Sequence, residues 1–223
     1  MLSRPTRRAT PTTKEILALL DAALEAGMKS DIDQLALAVT TADKLLRGDA
    51  GQFCMADNHQ LVAAMTSRID QLDAIVDAYE LTLEKSASLQ TETSEHALQE
   101  IIRAKDAIWE LRNDRIRTAR LVDALAGQGA SSSARSGYFS IQQAFSGLDR
   151  LEVRGRDSAG IHVFVWGHGL SADDPSVIAA LSARAHDALF QNRSVRLIDD
   201  TLSFVYKAAA EIGELGDNTR VMR

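Results

Sequence analysis

Leu148-Asp-Arg-Leu-Glu-Val-Arg-Gly-Arg-Asp-Ser-Ala-Gly-Ile161 is the stretch on which the reading of this chain turns. It reads as a helix that ends at Leu151, a turn of Glu152, Arg154, Gly155, Arg156 and Asp157, and two small residues that open a buried strand. Charges packed between a helix end and a core strand are costly to leave unpaired. Gly155 points to close backbone approach or a positive φ. The following run, Ile161-His-Val-Phe-Val-Trp166, is short, apolar and β-branched, the strongest strand signal in the chain.

Upstream of that stretch every pattern is helical. Thr12-x-x-Glu15 is a capping box after Pro11. Ile16, Leu20, Ala23 and Leu24 then form one face, which Gly27 ends. Asp31 opens a second helix with Ile32, Leu35, Val39, Ala42 and Leu46, stopped by Gly48, and the two form an αα-hairpin. A third helix begins near Asp57. Its stripe of Leu61, Met65, Ile69, Leu72, Val76, Tyr79 and Leu83 runs opposite Arg68, Asp70, Asp73, Asp77, Glu80 and Glu84. After a polar turn at 85–94, a fourth helix carries Leu98, Ile101, Ala104, Ile108 and Leu111. Its register slips at Arg115 and resumes at Ile116, Ala119 and Val122. Two long amphipathic helices joined by a short polar loop are expected to pack antiparallel.

Residues 127–137, rich in Gly and Ser, read as a linker. Beyond it, Phe139 to Leu151 reads as helix and Asp173-Asp174-Pro175 caps a helix running to about Phe190. Ser194 to Ile198 is a second strand candidate, and 203–212 leans to helix. The expected organisation is a lead-in over 1–13, a helical block over 14–126, the linker over 127–137, and a mixed α and β region over 138–223.

The 223 residues are 45% hydrophobic, 25% charged and 5% aromatic, with net charge -6. Such a chain buries a core without disulfide or metal staples, and its acidity argues against a general nucleic-acid surface. No apolar run approaches a membrane span. The lead-in carries Arg4, Arg7 and Arg8 without an acid, as transit peptides do, but a plain loop in a cytoplasmic protein is the expectation. The single cysteine, Cys54, lies among Phe53, Met55 and Ala56, which offer no base, so it reads as a small buried hydrophobe. None of the five histidines has a metal-ligand spacing, and His162 is expected on the outer face of its strand. Neither 167–169 nor 213–216 is a phosphate loop, because no Lys-Ser/Thr follows. Neither a metal nor an organic cofactor is expected.

Residues 148–161 resemble the L-x-x-L-E-Y-R-G-Y-D-S-A-G-I motif of the glutamine–fructose-6-phosphate aminotransferase (glucosamine-6-phosphate synthase) family, in its class-II glutamine amidotransferase domain. Leu148, Leu151, Glu152, Arg154, Gly155, Asp157, Ser158, Ala159, Gly160 and Ile161 match; Val153 and Arg156 replace the two tyrosines. The tail from Phe204 to Asn218 resembles a segment of long bacterial variants with helical insertions and downstream sugar-isomerase (SIS) domains. The resemblance implies an α+β fold: an all-helical N-terminal insertion, then part of an αββα N-terminal-nucleophile domain. It implies that glutamine and a sugar phosphate are the ligands of the complete enzyme. Arg154, Gly155, Asp157 and Ser158 would be supporting active-site residues. In that family an N-terminal Cys attacks the glutamine amide with its own α-amine as base.

This sequence departs from the pattern. It starts Met-Leu-Ser-Arg without Cys-Gly-Ile, and it contains no Gly-His-Thr-Arg-Trp motif and no isomerase domain. The expectation is a partial glutaminase domain whose start lies several codons upstream of Met1 and whose end is truncated or split, with no catalytic nucleophile in these residues, no nucleic-acid or membrane partner, and homo-oligomerisation compatible with it. The competing reading is a non-enzymatic helical interaction module with a degenerate amidotransferase remnant.

Overall fold

The computed structural model describes residues 9–86, 92–151, 158–184, 194–209 and 216–223. The chain divides into two compact units, Met1–Phe139 and Ser140–Arg223. The class is α+β, mostly helical with one small antiparallel sheet.

The first unit is built from two helical hairpins. Helices α1 (Thr13–Met28) and α2 (Ile32–Leu45) form one; α4 (His59–Ser86) and α5 (Glu92–Glu110) form the other. The capping box is present. Thr12 Oγ1 accepts from Glu15 N at 3.2 Å while Glu15 Oε2 accepts from Thr12 N at 2.7 Å. Gly27 does not end α1 as its position suggested. It lies within the helix, where a Cβ would meet Ile75 Cγ2 at 2.8 Å, so glycine here permits close packing, and the chain turns at Ser30, with φ of 58°.

Polar bonds give the directions. Lys105 reaches Asp77 and Glu80, Arg112 reaches Asp70 and Asp73, and Arg120 donates to Thr66. Falling numbers on one helix meet rising numbers on the other, so α4 and α5 are antiparallel, as expected. Asn58 meets Thr13 and Arg68 meets Asp21, so α1 and α4 run parallel. His96 meets Asp33 and Arg47 meets Glu110, both 63 residues apart, so α2 and α5 also run parallel. The hairpins therefore lie side by side around one core. Ile16, Leu20, Leu35, Val39, Met65, Ile69, Leu72, Val76, Ile101 and Ile108 are all at most 1% exposed in that core. The long stripes face each other inside the bundle; Leu98, placed in the stripe by its spacing, is instead 45% exposed.

The register slip has a direct structural form. After α5 the chain makes a π-helical turn, Leu111–Ile116, before α6 (Arg117–Ala126). The stripe steps from Leu111 to Ile116, five residues. An α-helix would carry that step off the core face, whereas a π turn closes i to i+5. Both residues are buried.

The sequence reading missed α3 (Asp49–Met55), whose seven residues are too short for a periodic signal. It also drew the linker too long. Only 127–131 are non-helical, because α7 (Ser132–Leu151) starts five residues before the linker's expected end. Ser131 caps it, accepting from Ala134 N. Arg135 on its second turn is 3% exposed and bonds Asp57 and Asp123.

The second unit holds β1 (Ala159–Trp166), α8 (Pro175–Arg184), β2 (Val195–Ile198), β3 (Thr201–Ala208) and α9 (Asp217–Met222). The sheet order is β1-β3-β2, all antiparallel. The expected helix over 203–212 is a correction. Phe204-Val-Tyr206 is β-branched and aromatic, burial alternates along the strand, and it pairs on both edges as the central strand. Residues 210–215 lie outside the described residues, as do 185–193 beyond α8. The Pro175 helix is capped by Asp174, which accepts from Ser176 N at 2.8 Å.

Candidate functional site

Arg154, Gly155 and Asp157 lie outside the described residues. Ser158 is exposed immediately before β1. The frame around them is defined. α7 ends at Leu151 and β1 begins at Ala159, where the spacing of the stretch put those boundaries.

β1 is not the buried strand that its apolar run suggested. Ala159, Ile161 and Val163 point to a half-buried face and pair with Ala208, Tyr206 and Phe204. That face packs with Phe145, Ile141 and Leu148 of α7 and Met222 of α9. The other face carries His162, Phe164 and Trp166 in a row. Their rings lie 3.9 Å and 5.9 Å apart by centroid, and Trp166 is 63% exposed. His162 is on that outer face, as expected, and its Nε2 lies 2.8 Å from Ser203 Oγ. Gly160 sits where a Cβ would meet the Tyr206 carbonyl oxygen at 3.2 Å. The carbonyl belongs to a paired strand and cannot move freely, so the residue must be small.

Helix α7 anchors the chain end that follows the second resembling stretch. Asp149 accepts from the Thr219 hydroxyl and from Arg223 Nη2 at 3.4 Å. Arg223 also donates Nε to Gln142 Oε1 at 3.2 Å, and its guanidinium lies 5.2 Å from the Phe145 ring centroid. Thr219, Asn218 and Gln142 are all buried. A carboxylate, a hydroxyl and a guanidinium bonded this way satisfy one another and fix α9 against α7.

Cys54 is 8% exposed, and burial, helped by the charge of Glu15, pushes its thiol pKa up. A protonated, buried thiol fits the packing role assigned to it and not a nucleophile's. Among the described histidines, His168 Nδ1 accepts from Leu170 N at 3.0 Å in the turn after β1, and His59 borders a cleft of about 410 Å³ with Asp57, Arg120, Asp123 and Gly127. His96 is the one that sequence spacing missed. It meets Asp33 and Glu100, and the cluster joins two helices that no local motif could connect. Among the described residues, no helix is long and apolar enough to cross a membrane.

No family model, curated protein or solved structure matches the chain.

Proposed function

We propose that residues 138–223 are part of a class-II glutamine amidotransferase domain of the glucosamine-6-phosphate synthase type, which supplies ammonia from glutamine to a sugar phosphate. One observation carries the reading. The two resembling stretches, more than forty residues apart in sequence, are neighbours in the fold. Ala159, Gly160 and Ile161 of the first pair with Ala208, Lys207 and Tyr206 of the second, and Asp149 of the first bonds Thr219 next to the end of the second. Two unrelated chance likenesses would have no reason to meet.

The sheet also supports the finer architecture. Helices cover one face, while the other presents Phe164, Trp166, Val205 and Ile198 at 42–63% exposure. An αββα sandwich has a second sheet on such a face. Among the described residues, the buried cluster of the second unit is Phe145, Ala208 and Met222. In this reading Arg154, Gly155, Asp157 and Ser158 are supporting active-site residues. A guanidinium offers five donors in a fixed fork and can pin several carbonyls of such a turn. Arg156 in place of a tyrosine adds a cation there. This reading requires an N-terminal cysteine and a glutamine-binding motif, and these 223 residues contain neither.

The test is the natural reading frame and its product. An in-frame Met-Cys-Gly-Ile upstream, with glutamate release from glutamine by the full product and its loss in the nucleophile Cys→Ala variant, supports the reading. A full product without such a start, or one that does not hydrolyse glutamine, sinks it.

A further inference from the structure

We infer that Asp33, His96 and Glu100 form a binding site for a first-row divalent cation of the zinc type, on the seam between α2 and α5. Asp33 stands in the first turn of α2, and His96 and Glu100 are one turn apart on α5, so both project along the same edge. One ligand atom from each lies within 4.8 Å of the others. His96 Nε2 and Asp33 Oδ1 are 2.9 Å apart. Two adjacent ligands on one cation with bonds of about 2.1 Å are roughly 3.0–3.4 Å apart, so this pair needs only a small adjustment. All three residues stand on helices whose relative position is set by the bundle core, so little ordering entropy opposes binding.

The imidazole decides the class of ion. Carboxylates alone would suit magnesium or calcium, whereas a nitrogen donor with two oxygen donors suits zinc, cobalt or nickel. Three protein ligands leave at least one position for water. His96 and Asp33 are more than half exposed, so an ion enters without unfolding. Glu100 is mostly buried, and Arg103 Nη1 donates to both of its oxygens, at 3.2 and 3.0 Å. That contact holds the carboxylate in place, and one oxygen can turn to the cation while the other keeps the arginine, as outer-shell partners do. The site would tie the first hairpin to the second at the start of α2 and α5. Arg47 and Glu110 already join them 14 residues further on at the other end.

Calorimetric titration of the purified chain with zinc, and absorption spectra of the cobalt-loaded chain, read the site directly. One ion per chain at micromolar affinity, weakened at least tenfold by His96→Ala and by Asp33→Asn, is expected, with zinc raising the melting temperature of the unsubstituted chain alone. Both substitutions are at exposed positions and leave the core intact, which circular dichroism checks. Affinity no better than millimolar, or affinity unchanged in His96→Ala, overturns the inference and leaves a surface hydrogen bond. The readouts are independent of glutaminase activity, so this site and the amidotransferase reading fail separately.

Discussion

Arg115 Nε donates to Asp43 Oδ1 at 2.9 Å, across 72 residues of sequence. Asp43 is 1% exposed, and its other oxygen accepts from Nε and Nη2 of Arg47 at 2.9 and 2.6 Å. The π-helical turn that keeps Ile116 on the core also carries Arg115. Asp43→Asn would take from the two guanidiniums the buried anion they share and leave them Glu110, at 2.7 Å from Arg47 and 3.7 Å from the largely buried Arg115. Removing one partner of a buried ion pair costs about 3–5 kcal/mol, and urea unfolding should show a loss of that order. A change below about 1 kcal/mol would mean that water or Glu110 already compensates the arginines.

Glu110 sits beside the same cluster. The Asp43 carboxyl and burial push its pKa up, against the pull of Arg47. A carboxyl with a raised folded-state pKa adds stability while protonated and loses it as pH rises through that pKa. Glu15 has the opposite sign. The Thr12 backbone amide and then the Thr12 hydroxyl hold its pKa down, so its contribution is full above the ordinary glutamate range of about 4.3 and is lost as pH falls below it. Urea midpoints measured from acid to neutral pH should therefore fall less on the alkaline side in Glu110→Gln. They should fall less on the acid side in Glu15→Gln. Parallel curves for all three proteins would contradict both assignments.

Leu72 of α4 is fully buried in the core of the bundle. Leu72→Asp places a carboxylate there without a partner and should cost about 3–5 kcal/mol. Circular dichroism and thermal melting would register it as lost helix and a lower Tm. An unchanged melt would mean that the stripe faces solvent, which the bundle does not allow.

The helical block was legible because its signals are long and periodic. Even the slip at Arg115 could be read, since a five-residue step between Leu111 and Ile116 has few solutions. Asp49–Met55 was not legible, because two turns give no period. Ser203–Lys207 reads as helix or strand because Phe204-Val-Tyr206 is an unbroken apolar run followed by alanines that favour helix; pairing with strands on both sides decides it. The link between Asp33 and His96 had no sequence signal at all, since it depends on how two hairpins dock. For residues 148–161 the ends of α7 and β1 were readable from polarity, while the partners of Asp149 lie 70 residues on.

That last contact gives the sharpest test of the joined stretches. Asp149→Ala removes one acceptor of the buried Thr219 hydroxyl and one of Arg223, which keep Gly216 O at 3.1 Å and Gln142 Oε1 at 3.2 Å, so the loss is that of a hydrogen bond, about 0.5–1.5 kcal/mol. Gly160→Ala adds a methyl 3.2 Å from the Tyr206 carbonyl oxygen, and overpacking of this kind costs about 1–3 kcal/mol. The substituted positions lie on different contacts of one small unit, so both should increase amide exchange in the same strands, β1 and β3, while leaving the α4–α5 amides protected. If Asp149→Ala changed exchange only at the chain end and left β1 and β3 untouched, the two stretches would be docked but not cooperatively folded. Their meeting would then lose its force as support for one amidotransferase unit.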